Sequence, residues 1–181
     1  MGHSDGNVLP LPEIQILGGG AHAAGRVDIQ DFMVIAVGAS SFAEALDWTA
    51  EVYRAAGTLL SESGRLEGVA DEGGFWPAFE SNEEGLDVLV SAIEKSGRTP
   101  GQDVAISLDI AASEFGAERR YKLSRDKQEM DSDALCGTLV DWVERYPIVS
   151  VEDPLGEDDP DGLVRFTWAV GKRVQVVGDD F

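Results

Sequence analysis

Three acidic residues follow apolar, β-branched runs of the sequence. VAISLD ends in Asp109, IVSVE ends in Glu152, and VQVVGDD places Asp179 after its valines. If these runs are strands that finish together, their carboxylates repel one another unless a cation lies between them. Oxygen donors without cysteine or a dense histidine cluster favour magnesium over zinc. We interpret the three acids as magnesium ligands, although any one of them alone is also explained as the cap of a following helix.

Three further residues are candidates for chemistry, and each also has an ordinary structural explanation. Glu72 stands in the turn DEGG, whose glycines leave room for a ligand, so its carboxyl group is either a general acid or base or a solvated turn residue. Asp31 opens an apolar run and is either a second acid of the site or an exposed strand-entry residue. His22 lies in the glycine-rich segment GGGAHAAGR, where its surroundings alone assign it no role.

Strands and helices that would position these residues alternate along the chain. Apolar runs predict six strands, at 13–17, 31–37, 69–70, 104–108, 148–151 and 174–177. Helical patterns begin at the capping boxes of Ser41 with Glu44 and Ser81 with Glu84, and at the pair Asp159-Pro160. Because one helical crossover separates each of the acids at 72, 109, 152 and 179 from the next, we expect parallel strands with the functional site at their carboxyl ends.

Residues 116–130 interrupt this alternation. They are polar and mixed in charge, and only Tyr121 and Leu123 are able to pack, so we predict a surface excursion. The two helical patterns that follow have apolar positions expected to face inward, namely Leu135, Leu139, Trp142 and Val143 in the first and Leu163, Val164 and Val170 in the second.

The composition bounds the class of protein. A length of 181 residues with 43% hydrophobic residues suits one globular domain. A net charge of -20 would repel nucleic-acid phosphates and anionic membrane surfaces, so no nucleic-acid partner is expected. No run reaches the roughly 18 to 20 apolar residues of a membrane span. We expect residues 1–8 to form a flexible leader, the protein to be cytoplasmic, and its single cysteine, Cys136, to be a buried structural thiol.

Several longer motifs occur in the order and at the spacings of the enolase family. They are LPEIQILGGGAHAAGRVDIQDFM, VADEGGFWP, SNEEGLDVLVSAIEKSG, LDIAASEF, YPIVSVEDPLGEDD and VGDDF, and the match runs from about residue 9 to residue 181. Any one of them would be weak, but their agreement in sequence and spacing is specific. The chain therefore resembles the first part of an enolase barrel domain, and we expect an α/β fold that is an incomplete (β/α)8 TIM barrel with about six strands.

The resemblance implies phosphopyruvate hydratase chemistry, the reversible dehydration of 2-phosphoglycerate to phosphoenolpyruvate in glycolysis, with Mg2+ as cofactor. It implies that Glu72 protonates the departing hydroxyl group and that His22 lies on a mobile loop that closes over the substrate. Asp31 and Asp179 would contribute to substrate binding. The magnesium ligands that the resemblance implies are Asp109, Glu152 and Asp179, and the full-length protein would be a homo-oligomer.

The chain departs from the family pattern at Asp31, where glutamate is usual, and the shorter side chain would hold its carboxylate about 1.5 Å further back. By the resemblance, we also expect these 181 residues to lack the preceding domain and the strands that would supply the lysine base and the phosphate-binding arginine and serine. We therefore expect the 181 residues alone not to turn over 2-phosphoglycerate. The alternative function is a non-catalytic magnesium-binding or interaction fragment, and exposed edge strands would favour association.

Overall fold

The computed structural model describes residues 9–180, so the predicted leader at 1–8 lies outside the described residues. The strands are β1 (Glu13–Gly18), β2 (Asp31–Ile35), β3 (Ala105–Asp109), β4 (Gly116–Ala117), β5 (Arg120–Leu123), β6 (Gln128–Asp131), β7 (Ile148–Glu152) and β8 (Gln175–Val177). The helices are α1 (Phe42–Glu62), α2 (Glu83–Lys95), α3 (Ser132–Arg145) and α4 (Pro160–Val170).

The main sheet has five strands in the order β1-β2-β3-β7-β8. Strands β3, β7 and β8 are parallel to their neighbours in this half of the sheet, as predicted. The prediction of parallel strands is wrong for β2, which is antiparallel to both β1 and β3. The chain passes from β1 to β2 without an α-helix, and a connection of this kind joins antiparallel strands. This reversal places the first residue of β2 beside the last residue of β3.

The predicted strand at 69–70 is not a strand of the main sheet. Val69 forms only an isolated bridge to Phe75, and Phe75 also bridges Leu17. The amide of Gly18 donates to the carbonyl oxygen of Phe75 at 2.8 Å, and the amide of Phe75 donates to that of Ile16 at 2.9 Å. The segment after the DEGG turn therefore covers the outer edge of β1, which satisfies backbone groups that an edge strand would leave open.

Residues 116–130 differ from the predicted surface excursion. They contain β4, β5 and most of β6, which form a separate three-stranded antiparallel sheet. Tyr121, Leu123 and Met130 are buried and belong to the main hydrophobic core. The alternation of buried and exposed residues along β5 is the pattern of a half-buried strand, although the polar majority of the segment concealed it.

Helices α1 and α4 begin where the capping signals predict, whereas the N-cap of α2 is Asn82, one residue after the predicted Ser81. Ser41 accepts a hydrogen bond from the amide of Glu44 at 3.2 Å, while the Glu44 carboxylate reaches back to the amide of Ser40 at 2.7 Å. Asp159 is the N-cap of α4, with Pro160 in the first turn. The predicted inward face of α4 is wrong at Val164, which is 55% exposed, because Phe166 fills the core position.

The hydrophobic core lies between the helices and one face of the main sheet, and Cys136 is buried in it as predicted. Strands β1 and β8 are the two ends of an open sheet, so the barrel is not closed within residues 9–180. Together the elements are the mixed α/β architecture that the resemblance implies. No helix in this range combines the length and apolar composition that crossing a bilayer requires.

Candidate active site

Three carboxylates lie side by side where strands of the main sheet end: those of Asp31, Asp109 and Glu152. We call this end of the sheet the carboxylate edge. Asp31 is paired with Asp109 across β2 and β3, and Asp109 is paired with Glu152 across β3 and β7. Neighbouring strands are about 4.8 Å apart, so the three residues occupy consecutive positions on three adjacent backbones. Asp31 is 4% exposed and Asp109 is 9% exposed. Asp31 reaches this edge only because β2 runs in the opposite direction to its neighbours.

The surroundings of the carboxylate edge disfavour negative charge. Burial, followed by the charges of Glu152 and Asp31, raises the pKa of Asp109 to about 7. Burial also raises the pKa of Asp31, in part offset by a hydrogen bond from Gln15. The pKa of Glu152 is raised by burial and then by its acidic neighbours, first among them Asp153. All three shifts have the direction that crowded, desolvated carboxylates produce.

Neutral groups are the hydrogen-bond donors to these acids. The Nε2 atom of Gln30 donates to Oδ2 of Asp109 at 2.8 Å, and the amide of Ala111 donates to Oδ1 at 3.0 Å. Gln15 donates to Asp31. Of the ion pairs formed within residues 9–180, none involves an acid of the carboxylate edge. No basic side chain within residues 9–180 therefore forms an ion pair with an acid of this edge.

Asp179 lies just beyond β8 and is exposed, and a buried neighbour holds its backbone. Asp153, which is 3% exposed, accepts hydrogen bonds from the amides of Asp179 and Asp180, each at 3.0 Å. Its backbone has a φ of 40°, an unusual value for a residue with a side chain. Asp153 therefore ties the end of β7 to the segment after β8.

The donor atoms suit a hard divalent cation, because every candidate ligand offers carboxylate oxygens and the surrounding charge is uncompensated. Within residues 9–180, however, acidic, histidine and cysteine side chains do not form any group of three or more that could hold a metal ion as they stand. Asp109 and Glu152 are neighbours in the sheet, while Asp179 lies outside the buried part of the edge.

Glu72 and His22 are on two loops that approach Asp31. Glu72 is exposed on the DEGG turn, and its charge contributes to the raised pKa of Asp31. His22 lies in a short 3-10 helix, Gly20–Ala23, with its Nδ1 atom 3.8 Å from a carboxylate oxygen of Asp71. The charge of His22, unlike that of Glu72, lowers the pKa of Asp31. The two candidate loop residues are thus electrostatic neighbours of one buried acid.

Gln15 is a site residue that sequence reasoning missed. It is 8% exposed and contacts both Asp31 and the DEGG turn. A signal was present, because Gln15 is the only polar residue in the run IQIL, and a polar side chain within a buried strand needs a hydrogen-bond partner.

Comparison with known proteins supports the same family as the motifs. The family model for the enolase C-terminal TIM barrel domain matches residues 6–181. A curated relative, Enolase 1 of Desulfitobacterium hafniense (strain Y51), is 46% identical over 183 residues. The match covers 99% of this chain and 42% of the relative, so the chain spans less than half the length of that protein. The chain belongs to the enolase family.

Proposed function

We propose that this chain forms part of an active site for the magnesium-dependent, reversible dehydration of 2-phosphoglycerate to phosphoenolpyruvate. The observation that carries the proposal is the carboxylate edge, where Asp31, Asp109 and Glu152 are adjacent and lack an ion pair within residues 9–180. Family membership supports the reaction class, and the uncompensated acids support a cation. We further propose a cytoplasmic location and a homo-oligomer for the full-length protein.

The proposed magnesium ligands are Asp109, Glu152 and Asp179. Asp109 and Glu152 are already neighbours, so binding would require the exposed Asp179 to turn towards them. The buried carboxylate of Asp153 would keep the backbone of Asp179 at the carboxylate edge during that movement. Magnesium would supply a Lewis acid for the negative charge that develops when a proton is removed beside the substrate carboxylate.

Three other residues would act directly on the substrate. Glu72 would donate a proton to the departing hydroxyl group, since its turn lies next to Asp31 and is exposed to a ligand. His22 would help to bind the substrate from the loop between β1 and β2, which lies close enough to Asp31 to lower its pKa. Asp31 would orient the hydroxyl group or the water that replaces it, with its own position held by Gln15.

The base that removes the proton is proposed to come from outside residues 9–180. The resemblance implies a lysine, yet none of the chain's lysines directly follows a strand of the main sheet. Lys95 ends α2 and pairs with Glu62, and Lys122 lies on β5 opposite Glu129. The remaining two are Lys127, between β5 and β6, and Lys172, after α4. This arrangement also favours the alternative function, magnesium binding without turnover by the chain itself.

A chimera tests the proposal. Residues 6–181 would replace the matching segment of Enolase 1 of Desulfitobacterium hafniense, and formation of phosphoenolpyruvate would be followed by its absorbance. We expect magnesium-dependent turnover by the chimera and none by the 181-residue chain alone. Asp109→Asn in the chimera should abolish turnover. The matched control is Asp47→Asn, which changes an exposed aspartate on α1 and should leave turnover unchanged.

The outcomes separate the two functions. A folded chimera that binds magnesium without turning over 2-phosphoglycerate would refute the catalytic proposal and support the non-catalytic alternative. Full turnover by the Asp109→Asn chimera would refute the assignment of Asp109 as a ligand. Turnover by the 181-residue chain at the rate of the relative would refute the proposal that the base lies outside these residues.

A further inference from the structure

Gln15 lies where two segments of the candidate site meet. Its Nε2 atom donates to Oδ1 of Asp31, and its Oε1 atom accepts a hydrogen bond from the amide of Gly74 at 2.6 Å. The side chain is 8% exposed, so water does not compete strongly for either contact. A single amide group thus joins a buried acid of the carboxylate edge to the turn that carries Glu72.

The space around this amide is filled. A Cβ atom at Gly74 would lie 2.5 Å from Oε1 of Gln15 and 2.8 Å from its Cγ. A Cβ atom at Gly18, at the start of the glycine loop, would lie 3.1 Å from its Nε2. Gly74 is not among the residues with positive φ, so the closeness of Gln15 excludes a side chain there, rather than the backbone conformation.

The backbone on either side of Gly74 is anchored independently. Phe75 exchanges hydrogen bonds with β1 through Ile16 and Gly18, and the hydroxyl group of Tyr53 donates to the carbonyl oxygen of Gly73 at 2.8 Å. These contacts hold the turn against β1 and α1 but do not reach Asp31. The side chain of Gln15 makes that connection.

We propose that Gln15 is a positioning residue that fixes Asp31 and the Glu72 turn relative to each other. The role suits an amide, because it offers a donor for the carboxylate and an acceptor for the amide N–H from one planar group. A methionine of similar length offers neither strong contact. The catalytic consequence rests on the function proposed above, whereas the positioning itself is a property of the chain without metal or substrate.

Nuclear magnetic resonance of the 181-residue chain tests the contact directly. In Gln15→Met we expect the Gly74 amide proton to move upfield, because it loses a short hydrogen bond. Its exchange with solvent should accelerate about tenfold, the factor that corresponds to one net hydrogen bond. Gln128→Met, which changes an exposed glutamine on β6, is the matched control and should alter neither. An unchanged Gly74 resonance and exchange rate in folded Gln15→Met would overturn the proposal.

A second measurement uses the crowding at Gly74 and does not depend on the behaviour of methionine. Gly74→Ala should lower the melting temperature when Gln15 is present, because the new methyl group meets the glutamine side chain. In the Gln15→Ala background the same substitution should cost clearly less. An equal cost of Gly74→Ala in both backgrounds would show that the two residues are not coupled, and would contradict the proposal.

The role in catalysis is tested in the chimera of the preceding section. Gln15→Met there should lower kcat more than it raises KM, because the misplaced groups act on the reacting atoms rather than on substrate affinity alone. If the unsubstituted chimera is inactive while Gly74 loses its protection in Gln15→Met, the proposed function fails and the positioning stands. If the chimera is active and Gln15→Met leaves both kcat and the Gly74 amide unchanged, the positioning fails and the function stands.

Discussion

Two buried aspartates, Asp109 and Asp159, have opposite surroundings. Asp159 is 0% exposed; it caps α4 through the amide of Gly162 at 3.0 Å and accepts from the Tyr121 hydroxyl at 3.1 Å. The Nε atom of Arg119 lies 3.1 Å from Oδ1 of Asp159, the oxygen that also accepts from Gly162. Burial alone would raise the pKa of Asp159, but hydrogen bonds and the arginine outweigh it, so its pKa lies below the ordinary value.

Asp109 has no such balance, because its closest charged neighbours are acids and its pKa is raised to about 7. Both aspartates accept hydrogen bonds, but only Asp159 also has a basic partner, and a buried charge that stabilises a fold needs such a partner. A buried carboxylate among other carboxylates is destabilised by their repulsion, and a bound cation would relieve that repulsion. The comparison distinguishes a buried acid with a basic partner from one that lies among other acids, in a chain that contains 34 acidic residues.

Asp109→Asn should show the largest effect and would break the comparison most directly. We expect magnesium affinity, measured by calorimetric titration, to fall by more than about 100-fold, beyond the loss that removal of an outer-shell partner causes. Without magnesium the variant should melt at a higher temperature than the wild type, because a buried charge is removed. Unchanged magnesium affinity in both Asp109→Asn and Glu152→Gln would refute the proposed metal site.

Asp159→Ala should lower the stability of the fold and leave the magnesium affinity unchanged, the reverse of Asp109→Asn. Loss of the cap and of the partner of Arg119 should lower the free energy of unfolding by about 2 to 3 kcal/mol, measured by urea denaturation. Asp161→Ala, at an exposed position in the first turn of the same helix, serves as the control and should cost much less. A tenfold or larger loss of magnesium affinity in folded Asp159→Ala, about 1.4 kcal/mol, would erase the distinction between the two aspartates.

Asp31→Glu sharpens the comparison at the carboxylate edge itself. Glutamate is the residue usual in the family, but its extra methylene would push the carboxylate into the Gln15 amide. The substitution alone should therefore destabilise the chain by about 1 to 3 kcal/mol. Gln15→Asn shortens the partner side chain by one methylene, so the double variant should recover part of the lost stability. Thermal unfolding of the four variants of this cycle gives the coupling, and strictly additive effects would contradict the predicted contact.

Substitution of Glu83 should have the smallest effect on stability. Like Asp159, Glu83 has a basic partner, but it is more exposed. A hydrogen bond from Arg145 at 2.5 Å, with help from Tyr146, lowers the pKa of Glu83 from 4.5 to about 2. The resulting stability is present above pH 4.5 and is lost as the pH falls towards 2. Since both side chains are more than one third exposed, the contribution should be under about 1 kcal/mol.

The measurement is the difference in unfolding free energy between wild type and Glu83→Gln, which should shrink as the solution is acidified. Glu94→Gln, at an exposed position of the same helix, should show no such dependence. A difference that grows on acidification would reverse the predicted sign.

Several features of the site followed from the sequence because they depend on local pattern. Apolar β-branched runs located β3, β7 and β8, and the acids Asp109 and Glu152 end their strands as predicted. Capping residues fixed the start of α1 and α4, because their hydrogen bonds join residues three apart. The ligand roles of Asp109, Glu152 and Asp179 stay predictions that only binding and activity measurements test. The same holds for the roles of His22, Asp31 and Glu72.

Tertiary structure alone decided which of these acids meet. An apolar run has the same pattern in either direction, so the reversal of β2, which brings Asp31 beside Asp109, was not visible in its composition. Gln15 and Asp153 act through partners 59 and 26 residues away, and such contacts exist only once the strands are in register. The sequence by itself determined which residue types end each strand; the packing of distant segments decided which of their charges lie beside a basic side chain and which lie among other acids.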